Sequence, residues 1–311
     1  MAMQTSIFPP TGRMLALAQL IRLPNVFTAW ADIFLAAMVI GIWPDRLLPF
    51  ITLLLASTCL YWSGMVWNDY FDVEQDRRER PFRPLPSGKI GLSSAAGLGI
   101  GLMVVGLIGA ASPGPEGIRL GSLIIASCLS LTILLYDAWL KRTWAGPIAM
   151  GSCRFLNVLL GLSMAPEGIE GWCVLLALAV GIYIAGVTWF ARKEAGASNP
   201  KILLAAGGVM LGGLLLSLTV PGAADAAGFS LSTSPLFPYL LVGLGFYLGL
   251  PVTRAIENPS PARVQVAVKQ AVLGLILLDA VLATALVGTW GILLALLLAP
   301  ALVLGRWVYS T

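Results

Sequence analysis

Long apolar segments dominate this chain of 311 residues, of which 58% are hydrophobic and 11% are charged. This apolar fraction far exceeds what one soluble core requires. Ten segments are close to the roughly 20 residues that a membrane-spanning helix needs; they lie at about 22–42, 47–68, 92–112, 119–138, 147–164, 172–190, 201–220, 236–253, 267–287 and 290–308. The sequence therefore predicts a single all-α integral-membrane domain over residues 1–311, a transmembrane bundle of nine or ten helices.

Basic residues are concentrated in alternate connections. They precede the first segment and follow the second, fourth, sixth and eighth, as Arg13, Arg22, Arg77, Arg78, Arg80, Arg83, Lys89, Lys141, Arg142, Arg192, Lys193, Lys201, Arg254, Arg263 and Lys269. The positive-inside rule then predicts a multi-pass protein of the cell inner (plasma) membrane, with these loops facing the cytoplasm. The net charge of +4 reflects this topology, and no basic stripe with interleaved aromatic residues indicates nucleic acid as a partner.

The cysteine and histidine content of the chain excludes several kinds of catalytic and metal site. The four cysteines lie in apolar segments without a Cys-x-x-Cys pair, a pattern typical of buried reduced thiols. The chain has no histidine, which excludes Ser-His-Asp triads and His-x-x-x-His zinc sites.

An acidic stretch closes the second apolar segment, where residues 68–76 read Asn-Asp-Tyr-Phe-Asp-Val-Glu-Gln-Asp. Helical spacing predicts that Asn68, Asp72 and Asp76 share one face, with Asp69 beside them. Such carboxylates repel each other unless a divalent cation neutralises them, and Mg²⁺ suits a site that also binds substrate phosphates. A solvated helix end is the ordinary alternative. Because ionisable residues beside a membrane are costly and usually functional, we predict a metal-diphosphate site with these four residues as ligands.

The same stretch resembles the first aspartate-rich motif of the UbiA superfamily of intramembrane prenyltransferases, Asn-Asp-x-x-Asp-x-x-x-Asp, at every specified position. Residues 80–88, including Arg83, resemble the Arg-Pro-Leu-Pro-Ser-Gly stretch that follows it in that family. The family usually has nine helices, so the last pair of segments is open to a re-entrant or merged element. The resemblance implies Mg²⁺-dependent transfer of an isoprenyl group from a diphosphate donor to an acceptor in the bilayer, which is a hydrophobic or aromatic small molecule. It also implies that Asp69 and Asp72 are catalytic and that Arg83 binds substrate.

A second polar cluster, residues 136–142, resembles the family's Tyr-x-x-x-x-Lys-Arg element. Lys141 and Arg142 are candidate catalytic cations for the diphosphate and Tyr136 a substrate-binding residue, although an ordinary positive-inside flank explains the two cations as well. In the next segment Arg154 and Asn157 share a helix face and are predicted to bind substrate inside the bundle. Arg154 needs an anionic partner, either the diphosphate, a motif aspartate or a structural salt bridge.

Three polar residues in other apolar segments are further candidates. Asn25 follows Arg22-Leu-Pro and resembles the asparagine of the family's first-helix Arg-x-x-Asn element, which lines the central cavity, so it is a candidate substrate-binding residue. Asp32 and Asp279 are predicted to face the bundle interior, through either a helix-helix hydrogen bond or a substrate contact.

The third cluster departs from the family pattern. Residues 190–196 read Phe-Ala-Arg-Lys-Glu-Ala-Gly, where UbiA-type chains carry Asp-x-x-x-Asp for a second Mg²⁺. Only Glu194 offers a carboxylate; it and Arg192 are candidate substrate-binding residues. This form resembles the EboC-like branch, which is linked to bacterial specialised metabolism. One or two metal ions, and a non-catalytic membrane binder or carrier of a prenylated metabolite, remain open alternatives here, although the complete first motif favours an enzyme.

Aromatic side chains near the same end of the bundle suit an allylic cation, which an aromatic face stabilises. The candidates are Tyr61, Trp67, Tyr70 and Tyr136. Anchoring at the membrane interface is the commoner use of each of them.

Overall fold

A computed structural model of the chain describes residues 12–41, 47–112, 118–165, 168–192, 198–229 and 233–308, and no strand occurs in these ranges. The α-helices are α1 Gly12–Leu20, α2 Val26–Ile40, α3 Leu47–Phe71, α4 Val73–Glu79, α5 Leu92–Ala111, α6 Leu120–Ala138, α7 Gly146–Leu162, α8 Gly171–Ala191, α9 Pro200–Ser217, α10 Val220–Ala226, α11 Phe237–Glu257, α12 Pro261–Val287 and α13 Leu298–Trp307. Short 3₁₀ segments cover Leu23–Asn25, Leu140–Arg142 and Thr289–Leu297.

Nine helical stretches of the described chain are long and apolar enough to cross a membrane. They are Leu23–Ile40, Leu47–Phe71, Leu92–Ala111, Leu120–Ala138, Gly171–Ala191, Pro200–Ala226, Phe237–Glu257, Pro261–Val287 and Thr289–Trp307. The apolar helix α7 is a tenth, shorter element of 17 residues, or about 25 Å. The predicted all-α bundle of nine or ten helices is therefore confirmed.

The final segment is neither merged with α12 nor a regular α-helix. Gly288 adopts a positive φ of 81°, and the chain then turns back along α12 as a 3₁₀ segment of nine residues before α13 begins. Gly291 packs directly on the α12 backbone, since a Cβ there would lie 2.3 Å from the Thr284 nitrogen. Because a 3₁₀ helix rises about 2.0 Å per residue, this segment and α13 together reach about 33 Å, enough to cross the hydrocarbon core.

The bundle is centred on α12, which packs against α2, α8 and α11. Of the most apolar stretch of α12, 72% is buried inside the protein, whereas the corresponding share is 28% for α5 and α11. The peripheral helices present large apolar side chains outward, as lipid contact requires. Helices at the centre therefore build the interior cavity, and those at the edge face the bilayer.

The segment after α3 forms a wall at one end of the bundle. The α3 helix ends at Phe71, and α4 begins at Val73 after a single turn residue, Asp72. The following loop folds back, so that Leu85 is only 5% exposed and packs in a small cluster with Leu20, Val66 and Ala95. Arg142, just after the end of α6, contacts Phe71 and Asp72 where this wall begins.

Candidate active site

A cavity of about 540 Å³ opens between α2, α3, α6, α7, α8 and α12. Eight of the residues predicted to be catalytic, metal-binding or substrate-binding line it: Asn25, Asn68, Asp72, Tyr136, Lys141, Arg142, Arg154 and Asn157. Four do not: Asp69, Asp76, Arg83 and Arg192. Glu194 lies outside the described residues. Most of these predicted residues therefore line the cavity, and the exceptions have physical explanations.

Asp72 is the carboxylate at the cavity mouth, and two cations from the 3₁₀ turn after α6 hold it. Lys141 Nζ lies 2.7 Å from Asp72 Oδ2, and Arg142 Nη2 lies 3.3 Å from Asp72 Oδ1. Lys141 also donates to the backbone oxygen of Asn68 at 3.4 Å. Both cations thus pair with Asp72 at the mouth, and the Asp72 side chain keeps 20% of its surface exposed.

Asn68 is fixed from both sides by residues that the sequence analysis did not select. Its Oδ1 accepts from Arg22 Nη2 at 3.1 Å, and its Nδ2 donates to Asp137 Oδ1 at 2.9 Å. Arg22 and Asp137 both line the cavity. Asp137 precedes Lys141 by four residues, a spacing that is visible in the sequence and brings the two side chains to within 4.0 Å of each other.

Arg22 occupies a left-handed backbone conformation with a φ of 46°, which is uncommon for a residue other than glycine. Burial opposes its charge, but the neighbouring Asp69 carboxylate favours it, and the net effect raises the pKa of the guanidinium above its usual value. Arg22 therefore stays a cation at the cavity wall.

Asp69 and Asp76 lie on a different face from Asn68 and Asp72, so the prediction of one shared face is wrong for Asp76. A helix turns about 100° per residue, which leaves about 80° between Asn68 and Asp76 but only about 20° between Asp69 and Asp76. Both of these aspartates turn towards Arg83, whose Nη1 lies 2.7 Å from Asp76 Oδ2 and 3.5 Å from Asp69 Oδ1. Arg83 therefore pairs with these two aspartates and does not line the cavity.

The cavity floor carries a second polar network. Arg154 finds its anionic partner in Asp32, with Nη1 at 3.4 Å from Oδ2, and not in the first motif. Asn157 donates to the same oxygen at 2.7 Å and accepts from Ser57 Oγ at 2.7 Å. The Arg154 guanidinium also lies 5.8 Å from the centre of the Tyr61 ring, a cation-π arrangement.

Asp32 contacts a second carboxyl group. Asp279 on α12 is its neighbour in the interior, and both side chains are 0% exposed. The expectation that these two residues face the bundle interior is therefore confirmed. Neither lines the cavity.

Two of the four aromatic candidates, Tyr61 and Tyr136, line the cavity. Trp67 packs instead against α5, where a Cβ on Gly99 would lie 3.0 Å from its ring, and Tyr70 packs on Trp67.

In the third cluster, the exposed Arg192 donates to the backbone oxygen of Thr143 at 2.8 Å.

Oxygen donors at the mouth fit Mg²⁺ only in part. In the described portion of the chain, no three Asp, Glu, Cys or His side chains gather closely enough to hold an ion by themselves. Asn68 and Asp72 nevertheless line the cavity, and Mg²⁺ commonly takes one or two carboxylates together with substrate phosphates and water. The arrangement suits an ion that shares its coordination with a bound diphosphate.

Comparison with known proteins places this geometry in a family. The model of the UbiA prenyltransferase family matches residues 25–268. Digeranylgeranylglyceryl phosphate synthases are similar in part: that of Saccharolobus solfataricus is 28% identical over 46% of this chain and 49% of its own, and that of Metallosphaera sedula is 31% identical over 48% and 51%. The chain spans about half the length of these curated relatives in the aligned regions.

Solved structures agree in fold over nearly the whole chain. A digeranylgeranylglyceryl phosphate synthase superimposes with a TM-score of 0.64 at 20% identity, covering 88% of this chain and 99% of the other. A UbiA homologue from Archaeoglobus fulgidus bound to GPP and Mg²⁺ gives 0.56 at 15% identity, covering 84% and 99%. These comparisons support the helical bundle described above.

Proposed function

Because this chain belongs to the UbiA prenyltransferase family, we propose that it transfers an isoprenyl group from an allylic diphosphate to an acceptor that enters from the membrane. One observation carries the proposal: a single cavity joins a charged mouth to an apolar interior. Asp72, Lys141 and Arg142 lie at the mouth. The interior walls are apolar and suit an isoprenoid chain; they include Leu129, Ile133, Ile184, Val187, Val272 and Leu275.

The mouth residues would bind the diphosphate. Lys141 and Arg142 can donate charge-assisted hydrogen bonds to its oxygens, and these contacts strengthen as the bond between carbon and oxygen breaks and negative charge grows on the leaving group. Asn68 and Asp72 would hold Mg²⁺, which when bound supplies further neutralisation of the diphosphate. Asn25 lines the same cavity at the start of α2 and is a candidate contact to the donor.

The allylic carbon becomes cationic as the diphosphate departs. Tyr61 and Tyr136 line the cavity below the mouth, and their ring faces can stabilise positive charge there. The surrounding apolar helices exclude water, which would otherwise capture the cation. Arg154 and Asn157 form a polar floor that can orient a polar group of the acceptor.

The comparisons bear on the substrates. The similar proteins are named digeranylgeranylglyceryl phosphate synthases, which favours a lipid-type or other hydrophobic acceptor, and the structures of the Archaeoglobus homologue contain GPP or DMAPP, which favours an isoprenyl diphosphate as donor. We place the reaction in lipid or specialised-metabolite synthesis, with the cavity mouth towards the cytoplasm as the basic loops indicate. The EboC-like branch stays a prediction.

The first test is binding of geranyl diphosphate to the protein in nanodiscs, with Mg²⁺ or with a chelator. We expect Mg²⁺-dependent binding, and Asp72→Ala should weaken it by about 30-fold or more, because a charged partner worth at least about 2 kcal/mol is lost. Glu74→Ala is the matched control, since Glu74 is an acid of the same segment whose side chain is 74% exposed and does not line the cavity. Equal affinity with and without chelator would contradict the metal-diphosphate site.

Turnover separates an enzyme from a binder. The purified protein should release diphosphate from geranyl diphosphate when a suitable acceptor is present, as measured across a panel of hydrophobic alcohols and phenols. Tight Mg²⁺-dependent binding without product or diphosphate release across the panel would favour a non-catalytic carrier.

A further inference from the structure

The first aspartate-rich motif is divided between two environments. Asn68 and Asp72 line the cavity, whereas Asp69 and Asp76 are turned away from it towards Arg83. The side chains of Asp69 and Asp76 are each 5% exposed and that of Arg83 is 7% exposed. Asp69 and Asp76 are therefore shielded from the space in which a diphosphate and its cation would bind.

The charges of this buried group are already balanced. Asp69 lies 3.3 Å from Arg22 and 3.5 Å from Arg83, and Asp76 lies 2.7 Å from Arg83. Two carboxylates thus face two guanidinium groups, so neither acid requires a metal ion for neutralisation. Burial of a carboxylate is costly unless it is paired and hydrogen-bonded, and both of these acids have guanidinium partners.

The group also ties three parts of the chain together. Asp69 belongs to α3, Asp76 to α4, and Arg83 to the loop that folds back over the end of α3. Arg22 Nη2 contacts both Asp69 and the cavity-lining side chain of Asn68. Asp69 therefore holds Arg22, and Arg22 holds the amide oxygen of Asn68.

We propose that Asp69 and Asp76 are positioning residues that clamp Arg83 and the loop at residues 80–88, and that the motif's cation-binding oxygens are those of Asn68 and Asp72. The clamp fixes the wall of the mouth and, through Arg22, the orientation of Asn68. The part of this inference that concerns the cation rests on the proposed function, whereas the clamp itself does not.

The clamp predicts non-additive effects of mutation. Asp76→Asn and Arg83→Gln should each lower the unfolding midpoint of the protein in detergent, and the double variant should lower it no further than the worse single variant, because either change breaks the same contact. If Arg83→Gln does not fold, Arg83→Lys replaces it in the cycle, since lysine keeps the charge but lacks the planar fork. A double variant whose effect equals the sum of the two single effects would overturn the clamp.

The metal role is tested with Asp72→Asn as the matched variant. The measurement is the Mg²⁺ concentration that gives half-maximal binding of geranyl diphosphate. Asp76→Asn should shift this concentration by no more than the several-fold factor that its effect on the position of Asn68 allows, whereas Asp72→Asn should raise it by about tenfold or more, because Asp72 is itself a proposed ligand. A shift in Asp76→Asn as large as that in Asp72→Asn would assign Asp76 to the metal and overturn the proposal.

Positioning is distinguished from stability alone by donor affinity at saturating Mg²⁺, measured well below each unfolding midpoint. Asp76→Asn, Arg83→Gln and their double variant should weaken geranyl diphosphate binding by the same several-fold factor. Wild-type affinity in all three would reduce the group to a purely structural contact and remove its positioning role. If wild-type protein binds no donor, the proposed function fails, and the unfolding cycle still decides whether the clamp exists.

Discussion

Asp279 is the least satisfied side chain of the bundle interior. It is 0% exposed, and neither carboxyl oxygen has a hydrogen-bond donor among the described residues. Its neighbour Asp32 differs, because Asp32 accepts from Asn157 and pairs with Arg154. Two adjacent carboxylates away from water repel each other. Asp32 therefore stabilises the bundle through its partners, whereas Asp279 destabilises it.

Replacing each acid by asparagine should have opposite consequences. Asp279→Asn should leave the unfolding midpoint unchanged or raise it, because an amide can donate to the free oxygen of Asp32. Asp32→Asn should destabilise the protein by about 3–5 kcal/mol, because Arg154 then lacks its buried anionic partner. Thermal unfolding in detergent measures both, and equal destabilisation by the two substitutions would contradict this account.

At this scale the sequence predicted which residues are unusual better than it predicted their partners. It indicated that Arg154 needs an anion, but Asp32 lies 122 positions away and only the fold brings the two together. The error for Asp76 has a different origin, since two steps of about 40° add up to a change of face. Rotation along a helix is calculable from sequence, whereas pairing between helices is not.

Helix contacts depend on where the small residues fall. At the α8–α9 contact, Gly213 packs against the backbone of α8, and a Cβ there would lie 2.7 Å from the Tyr183 nitrogen and 2.8 Å from the Ala179 oxygen. A Cβ on the adjacent Gly212 would meet no atom within 4 Å. Neighbouring glycines of α9 therefore have different roles, one in packing and one at an open surface.

Alanine substitutions at these two positions form a matched pair. Gly213→Ala should cost about 1–3 kcal/mol, since α8 and α9 must separate to admit the methyl group. Gly212→Ala should be neutral or slightly stabilising, because alanine is the better helix former. Unfolding midpoints of the two variants in the same detergent give the comparison, and a loss of stability at Gly212 as large as at Gly213 would refute the close packing.

The elements themselves were largely predictable, since each apolar segment became a helix with nearly the expected bounds. The exceptions are local. The α4 helix lies outside the predicted apolar segments, because its apolar content is low, and the 3₁₀ segment Thr289–Leu297 has the same composition as an α-helix. Gly291 of that segment packs on the α12 backbone, a tertiary contact that no local pattern reveals.

One end of the molecule carries the basic loops and the cavity mouth and is called the charged end. The basic loops predict that this end faces the cytoplasm. Ser87 is exposed at the charged end, and Ala226 is exposed after α9 at the other. In a variant without the four native cysteines, Ser87→Cys should resist an impermeant maleimide in intact cells and react after permeabilisation, whereas Ala226→Cys should react in both conditions. The reverse pattern would invert the orientation of the cavity mouth.

The contacts of Asp72 make the two expected ligands of the mouth thermodynamically interdependent. Without ligands, its carboxylate is occupied by Lys141 and Arg142, the same cations that a diphosphate would attract. A diphosphate that takes up these cations leaves the carboxylate unpaired and so raises its affinity for a divalent ion; by linkage, the ion raises the affinity for the diphosphate by the same factor. We therefore expect internal ion pairing to make the mouth a poor receptor for either ligand alone and a good receptor for both.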